Sequence, residues 1–411
     1  MKKFAILGMA ALLVAAFCVP AGAFDSEFGG YWRTRIFTQK DFNGTDTGAR
    51  DITQADTRSR LYYTAVFSDD FKFVNKFEWN STWGDTVGGD IGADGMGIFR
   101  IKNSYAYFNL GQWNFMIGVQ PRVLARGFLF DDDFAGFVAT YKCDTWSLPF
   151  IWIKAYEGGM GNDANDWDVD YYGVKPTFNI GDNMKLTPFF LYIYSKDARN
   201  WGATTFNDKL SAWYLGADLD VSMDSMSMWA SAVYESGDAD TIFGQSIDIQ
   251  AYLFAIGGDM PMGPLSLHGE FFYASGDDNP ADNDAEAFFV PRGQSHYWSE
   301  IMGNGVFDNQ ASSGSPAGGI SNIMAFNVGM NYKVSDAMKL TADLWYAKLA
   351  EDNAAGDDQL GTEIDLKLTY GLMDNLKLEL IGAYLFAGDA TNPGPNQEDP
   401  LEIGTRISLS F

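Results

Sequence analysis

The sequence predicts an all-β fold: a transmembrane, up-and-down antiparallel β-barrel formed by one chain. Three observations support it. Apolar and polar residues alternate through most of the chain, aromatic residues make up 16% of it, and 44 of its 411 residues are glycine. After the N-terminal segment, no stretch approaches the roughly 18 apolar residues that a membrane-spanning helix needs. A closed barrel is the other architecture that pairs every backbone N–H and C=O group inside a bilayer.

The N-terminal segment has the pattern of an export signal. Lys2 and Lys3 precede an apolar run, and Ala21-Gly22-Ala23 offers the small residues that a signal peptidase recognises. We therefore expect residues 1–23 to be a cleaved signal peptide and residues 24–411 to form a single outer-membrane β-barrel domain. A lipoprotein modified at the leader cysteine is the alternative, but a phenylalanine precedes that cysteine where lipidation needs a small residue.

A short turn pattern recurs along the chain. Turn cores such as KVSDAMKL from Lys333 and GLMDNLKL from Gly371 lie mostly about 33 to 42 residues apart, and each joins two alternating runs. Longer acidic, glycine-rich stretches separate them. Short turns at one end and long loops at the other are typical of outer-membrane barrels. Solenoids and propellers also repeat at about 40 residues, but they need a regular core motif in each repeat.

The alternating runs number eighteen, and merging one marginal pair would give sixteen. An even number is expected when both ends of the chain lie on the same side of the membrane. A barrel of 16 to 18 strands is wide enough for an aqueous lumen. The predicted strands are 28–39, 56–68, 71–83, 98–109, 113–122, 134–143, 145–157, 168–180, 184–196, 209–221, 226–236, 245–258, 264–275, 321–334, 338–349, 360–371, 375–387 and 401–411.

Alternation also assigns the two faces of the wall. In the last strand, Ile403, Ile407 and Leu409 fall on one face and Glu402 and Arg406 on the other. A soluble sandwich would alternate in the same way. Aromatic residues just before acidic loops favour a membrane, because they form a belt at its surface. This predicted belt consists of Tyr156, Tyr192, Tyr234, Tyr273, Trp345 and Tyr384.

The C-terminus suggests how the barrel is assembled. Phe411 ends a strand with apolar residues at alternate positions, a pattern that resembles the signal read by the outer-membrane assembly machinery. A terminal aromatic anchor is the simpler interpretation, and the two are compatible. The other expected partners are outer-membrane lipid, lipopolysaccharide and small solutes or oligosaccharides. Nucleic acid is disfavoured because the external loops are strongly acidic.

Arginine is concentrated near the start of the chain, where eight of the eleven arginines lie between Arg33 and Arg126. Because the last strand of a closed barrel pairs with the first, Arg406 joins them. An arginine facing hydrocarbon would cost roughly 2–4 kcal/mol at the midplane, so we expect these side chains to face the lumen. The predicted pore-lining basic residues are Arg33, Arg35, Arg58, Arg60, Lys76, Arg100, Lys102, Arg122 and Arg406.

The opposite wall has an acidic pattern. The predicted pore-lining acidic residues are Asp218, Asp220, Asp248, Glu270, Asp343, Glu363 and Asp365. Opposed basic and acidic walls would set the charge selectivity of a pore. The alternative is that these charges pair with each other and only stiffen the lumen.

Two segments are candidates for narrowing the pore. Residues 121–136 either fold inward as a constriction or form an external loop. The charged residues of this segment that would form the constriction are Arg126, Asp131, Asp132 and Asp133. The longest loop, residues 277–319, carries enough aromatic residues to be packed, as a lid or mouth lining would be.

The acidic runs and the histidines lack the patterns of a metal site or a catalytic triad. The run DWDVD, with Asp166, Asp168 and Asp170, lacks the glycine and closing glutamate of a calcium loop, so we expect no metal and no cofactor. The chain has two histidines, His268 and His296, and serines near His296 do not by themselves make a triad.

Residues 361–389, GTEIDLKLTYGLMDNLKLELIGAYLFAGD, resemble the penultimate hairpin of the alginate-export family of outer-membrane β-barrel porins. Gly-Thr-Glu-x-Asp opens one strand and Phe-Ala-Gly-Asp ends the next, and residues 268–280, HGEFFYASGDDNP, are also similar to the family. The resemblance implies an eighteen-stranded monomer whose arginine-rich lumen serves an anionic polysaccharide. The excess of acidic residues on the other wall argues against alginate itself, a polyanion, as the cargo.

These observations predict a porin in the outer membrane of a Gram-negative bacterium. It would form a water-filled channel for passive passage of small solutes, with anions or saccharides as the candidates for selective passage. A non-conducting surface-binding or structural barrel is the alternative, and a barrel enzyme is a weaker one.

Overall fold

The computed structural model describes residues 24–42, 51–92, 97–158, 168–196, 209–241, 245–308, 319–391 and 398–411. The predicted signal peptide, residues 1–23, and Asp166 lie outside these ranges. The strands of the described residues belong to one sheet: β1 Asp25–Lys40, β2 Ile52–Ser68, β3 Phe71–Thr82, β4 Ile98–Leu110, β5 Trp113–Leu124, β6 Phe130–Lys142, β7 Trp146–Tyr156, β8 Val169–Val174, β9 Thr177–Ile180, β10 Met184–Ser195, β11 Leu210–Met223, β12 Met226–Asp240, β13 Ser246–Met262, β14 Leu265–Ala274, β15 Asp284–Ala285, β16 Ile323–Lys333, β17 Met338–Lys348, β18 Gln359–Met373, β19 Leu376–Ala387 and β20 Leu401–Ser410.

These segments make an eighteen-strand barrel wall. β8 and β9 both pair with β7 and β10, so they are two parts of one wall strand. β15 is a two-residue segment of the long loop that pairs in parallel with β13. β20 pairs antiparallel with β1 from Tyr31–Ser410 to Lys40–Leu401 and closes the barrel. The predicted fold class and the count of eighteen are confirmed.

Most predicted strand boundaries agree with the structure to within a few residues, and the exceptions have physical causes. β8 ends before Lys175 and Pro176 because proline has no N–H to donate to the ladder. β12 continues to Asp240, beyond the predicted end at residue 236, because acidic residues can remain in a strand where its outer face meets water. At the opposite, short-turn end, Gly111, Gly181 and Gly263 have φ values of 60°, 63° and 65°, which glycine adopts without strain.

Within the described ranges, the structure has no helix that is both long and apolar enough to cross a membrane.

The largest apolar core lies inside the barrel. Its fully buried members include Phe128, Tyr171, Tyr214, Phe272 and Phe288, which come from wall strands and from two inward segments. Apolar side chains on the opposite parity, including Tyr252 and Phe254 on β13, are exposed on the outer face. The barrel therefore has an outward apolar surface for lipid and a partly apolar filling.

The predicted aromatic belt is wrong at Trp345 and at Tyr156, which lies opposite the buried Val169 and packs against the internal core. Trp345 is only 4% exposed and packs edge-to-face against Trp298 of the long loop, with 4.9 Å between ring centroids. It has the same parity as Asp343 and so faces the interior, whereas its neighbour Tyr346 faces outward. Proximity to an acidic loop does not fix the face of an aromatic residue, but parity does.

The β5–β6 hairpin leaves the wall at a pair of glycines. The pairing of β5 with its outer neighbour β4 ends at Ser104–Val119, and the pairing of β6 with its outer neighbour β7 ends at Ala135–Lys154. β5 and β6 remain paired with each other beyond this level, to Leu124–Phe130. Gly118 and Gly136 face each other at this level. A Cβ on Gly118 would overlap the Ser104 carbonyl, and one on Gly136 would overlap the Trp152 carbonyl.

We expect Gly118→Ala to destabilise the barrel. Its φ of 125° is strained for any other residue, and this strain costs about 1–3 kcal/mol before the overlap with β4 is added. The measurement is the urea midpoint of the purified protein in detergent. The control is Gly382→Ala, where an added Cβ meets nothing closer than the Glu402 carbonyl at 3.9 Å. Equal midpoints for the two variants would contradict a hinge at Gly118.

Candidate solute pathway in the lumen

The tip of the β5–β6 hairpin folds into the barrel. Leu124, Ala125, Phe128 and Leu129 are at most 1% exposed, although they lie at the end of a hairpin. Ala125 and two following residues form a left-handed turn, with φ of 47° at Ala125 and 55° at Arg126. Sequence alone left this inward fold and an external loop equally open.

The hairpin tip contacts β11, β12 and the long loop through an ion pair and ring stacking. The Arg126 guanidinium binds Asp220 of β11 and lies 4.7 Å from the Trp229 ring centroid on β12. Phe128 stacks on His296 of the long loop, with 3.7 Å between ring centroids. The tip therefore reaches inward to wall strands that are not its neighbours in the sheet.

Carboxylates of the wall hold the long loop inside the barrel. Glu363 of β18 accepts hydrogen bonds from the N–H groups of Ile301 at 2.6 Å and Met302 at 2.9 Å, and from Ser299 Oγ at 3.1 Å. Across the lumen, Glu235 of β12 accepts one from the Phe289 N–H at 2.9 Å. Because buried N–H groups need acceptors, these two carboxylates fix the path of the loop.

The long loop also carries a buried carboxyl group of its own, that of Glu300. Burial raises the pKa of Glu300, although the Val306 N–H, 2.6 Å away, and the charge of Lys367 oppose this shift. The Glu300 carboxyl therefore binds a proton more tightly when the loop is docked than when it is released. Docking gains stability as the pH falls through the raised pKa, and the gain is complete below the ordinary glutamate pKa.

The space left by these segments is a polar cavity of about 470 Å³ between the two charged walls. The long loop covers one side of it with Tyr297, Trp298 and Glu300. The wall residues that line it are Arg33, Arg58, Arg60, Thr341, Asp343, Asp365, Lys367 and Arg406. Basic groups from β1, β2 and β20 thus face acidic groups from β17 and β18.

The arginines of this cavity are held by neighbouring acceptors on the wall. Arg60 Nε donates to Glu78 at 2.7 Å, and Arg58 Nε donates to Asn80 at 2.7 Å. Arg406 Nε donates to Glu379 at 2.5 Å. Each bond uses the Nε side of a guanidinium and fixes its orientation. We call Arg33, Arg35, Arg58, Arg60 and Arg406 the arginine ladder.

Four predicted basic residues lie apart from the ladder. Lys76 faces inward on β3, with its ammonium 5.2 Å from the Tyr62 ring centroid. Arg100 is exposed and lies opposite Glu78 in the β3–β4 register. Lys102 occupies the extra position of a β-bulge in β4 and binds Asp133. Arg122 lies on the inward part of the β5–β6 hairpin, and its Nε is buried without a hydrogen-bond partner among the described residues.

Six of the seven predicted acidic residues lie on inward-facing positions, in separate hydrogen-bonded groups. Asp343 contacts His268 Nε2 at 2.6 Å, and Glu270 contacts His296 Nε2 at 3.0 Å. Asp218 accepts a bond from Ser231 Oγ at 2.6 Å. The remaining inward residues are Asp220 of β11, which binds Arg126 of the hairpin tip, and the pair Glu363 and Asp365 on β18.

The prediction that Asp248 lines the pore is wrong. It is exposed and has the opposite parity to Ile249, Ala251 and Leu253, whose side chains are buried inside. In the register it lies beside Asp238 of β12, which binds Lys209 on the outer face. At the long-loop end both faces of a strand meet water, so a charge there does not mark the lumen.

The aspartates of the inward hairpin differ in their contacts. Asp133 accepts hydrogen bonds from Lys102 and from Asn103 Nδ2, and thereby links the hairpin to β4. The Asp131 N–H donates to the Gly293 carbonyl at 2.8 Å. The Asp131 and Asp132 side chains are exposed.

Several important residues were not among the predicted site residues. Glu78 and Glu379 hold the ladder, Asp56 binds Arg35, and Asp308 of the long loop reaches the same arginine. Parity was a sufficient signal for Glu78, because it shares a face with Lys76. No periodic signal marks Asp308, because it lies in a loop.

The described aspartates of the run DWDVD and the two histidines are bound to other side chains of the protein. Asp168 and Asp170 both pair with Lys154 of β7. His268 and His296 belong to separate groups, one with Asp343 and one with Glu270, and Ser299 Oγ donates to Glu363.

The fold and the charged lumen define an outer-membrane barrel of the porin class. OccAB4 of Acinetobacter baumannii is similar, with 11% identity, a TM-score of 0.60 and coverage of 95% of this chain and 100% of that one. OpdL of Pseudomonas aeruginosa has 14% identity and a TM-score of 0.62, with 94% of this chain and 99% of that one covered. OccK1 (OpdK) of the same organism has 12% identity and a TM-score of 0.61, with 95% and 100% covered.

In sequence, the profile described as Alginate export matches residues 132–400, which is more than half of the chain. The chain belongs to this family of outer-membrane barrels. No curated protein matches the chain significantly in sequence.

We expect Glu363→Ala to release the long loop. The substitution removes the acceptor of three hydrogen bonds and leaves the Ile301 and Met302 N–H groups and the Ser299 hydroxyl without it, at a cost of about 1–3 kcal/mol for each buried donor. Trypsin should then cleave after Arg292 about tenfold faster or more. The control is Asp374→Ala, which removes an exposed carboxylate in the turn between β18 and β19. Unchanged cleavage in Glu363→Ala would show that Glu363 does not hold the loop.

Proposed function

We propose that the protein is a channel for passive diffusion of small anionic solutes across the outer membrane. The observation that supports this selectivity is the arginine ladder, four of whose members line one cavity. Glu78 and Glu379 hold three of these guanidiniums, so a solute anion meets oriented charges. Because neighbouring sites are similar, an anion can exchange from one arginine to the next without a deep trap.

The opposite side of the cavity suits hydroxyl groups. Asp343 and Asp365 are acceptors there, and Thr341 is both a donor and an acceptor. Tyr297 lines the same cavity and is 64% exposed, so its ring offers an open apolar face. A solute with a carboxylate at one end and a hydroxylated ring at the other would fit both sides, which favours acidic saccharides of small size.

We expect the double substitution Arg58→Ala with Arg60→Ala to shift ion preference toward cations. Each guanidinium contributes about 1 kcal/mol for an anion at 4 Å in water, so the anion-to-cation permeability ratio should fall by about fivefold or more. The measurement is the reversal potential of single channels in a salt gradient. The control is Lys209→Ala, which removes a cation on the outer face. An unchanged reversal potential in the double variant would exclude the ladder as the selectivity element.

A non-conducting barrel is the second candidate, because the hairpin tip and the long loop fill much of the lumen. Single-channel recording separates the two functions. A diffusion channel produces conductance steps, and a structural barrel produces none. We also infer that the protein performs no chemistry on the solute.

We propose that Phe411 is recognised during assembly of the barrel. Its backbone pairs with Gly30 of β1 in both directions, at 2.8 and 3.2 Å, and its ring covers Gly30 but remains 63% exposed. An exposed terminal ring is available to the assembly machinery. The leader, residues 1–23, would deliver the chain to the periplasm first.

We expect Phe411→Ala to reduce the amount of folded protein in the outer membrane several-fold, while the purified variant still refolds in detergent. The measurement is the fraction of heat-modifiable, folded protein on gels of membrane extracts. The control is Leu409→Ala on the same strand face. Equal loss in both variants would mean that the terminal residue is only a packing anchor.

A further inference from the structure

The long loop places a carboxylate of its own on the arginine ladder. Asp308 Oδ2 lies 2.6 Å from Arg35 Nη1 and 3.5 Å from Arg33 Nη2. The Val306 carbonyl accepts a second bond from Arg35 Nη1 at 2.6 Å. Phe307 stacks on Phe37 of β1, with 4.7 Å between ring centroids. These contacts attach the loop to the strand that carries the ladder.

Asp308 lies at the border of two cavities. One is the cavity of about 470 Å³ described above, and the other has a volume of about 270 Å³. Arg33, Arg58 and Asp308 line both cavities, whereas Arg35 and Asp56 line only the smaller one. A solute moving along the ladder from one cavity to the other must pass the Asp308 carboxylate.

Arg33 is incompletely satisfied in this arrangement. It is only 7% exposed, and its Nε is buried with no hydrogen-bond partner among the described residues. The 3.5 Å separation from Asp308 is long for a hydrogen bond between charged groups. Arg35, by contrast, is bound through Nε and Nη2 to Asp56. A buried arginine donor without an acceptor is unfavourable, and a second anion beside Arg33 would satisfy it.

The backbone of the attached segment is held in an uncommon conformation. Asn304 and Asp308 have φ values of 60° and 61°, in the left-handed region that favours glycine. The bonds to Arg35 and the stacking on Phe37 offset this strain. A ligand that replaces these bonds would therefore release the segment.

We propose that Asp308 is a resident counter-ion that closes the passage along the arginine ladder, and that an incoming solute carboxylate opens it by taking its place on Arg33 and Arg35. The inference rests on the proposed function as an anion channel. The exchange replaces one carboxylate by another, so the ladder stays neutralised throughout. The solute also supplies the acceptor that Arg33 Nε lacks, which gives it a differential affinity for the open state.

The test records single channels of the wild type and of Asp308→Asn, with increasing sodium gluconate or, as the uncharged match, sorbitol. In the wild type, gluconate should shorten the closed dwell times, and sorbitol should not. Asp308→Asn should already have closed dwell times about tenfold shorter without gluconate, since a hydrogen bond between charged groups is worth about that factor or more. Asp308→Glu should restore closures that respond to gluconate.

Folding and function are controlled separately. Heat-modifiable migration on gels shows whether each variant is a folded barrel. If closures persist unchanged in folded Asp308→Asn, or if gluconate does not shorten them in the wild type, the counter-ion gate is wrong. That failure differs from failure of the proposed function, which the Arg58→Ala with Arg60→Ala reversal potential decides independently.

Discussion

The ten register pairs that join β1 to β20, from Tyr31–Ser410 to Lys40–Leu401, leave the sheet without a free edge. A bilayer offers no water to unpaired backbone groups, so this closure is required of any wall made of strands. It also brings Arg406 beside Arg35, although the two residues lie at opposite ends of the chain. Closure thus adds Arg406 to the arginine ladder, whose other four members lie on the paired strands β1 and β2.

Charged groups inside the barrel have two uses. Wall carboxylates such as Glu363 and Glu235 accept hydrogen bonds from the N–H groups of the long loop, which has no sheet partner for them. Other carboxylates, Glu78 and Glu379, neutralise and orient the arginines. Inward carboxylates therefore position the long loop in one part of the lumen and orient the arginines of the solute pathway in another. The cavity of the pathway is lined by β1, β2 and β20, by β17 and β18, and by the long loop.

The wall was largely predictable because its constraints are local. A strand in a membrane must alternate lipid-facing and inward-facing residues, and a tight turn needs residues such as Gly111 or Gly263 at its positive φ position. Predictions failed where the local rule ceases to apply. Asp248 lies beyond the region where outward residues must be apolar, and Trp345 was assigned by its distance from a loop although its parity places it inside. Pro176 interrupts a wall strand that alternation alone treated as continuous.

The sequence by itself determined the class of fold, the number of strands, the inward position of the ladder arginines and the family resemblance at residues 361–389. These properties follow from period-two alternation and from closure, which act over a few residues or at the two ends of the chain. Only the tertiary structure decided that the β5–β6 hairpin bends inward at Gly118 and Gly136 and that Asp308 reaches Arg35. Loops have no period, and their positions depend on acceptors such as Glu363 that lie far away in the sequence.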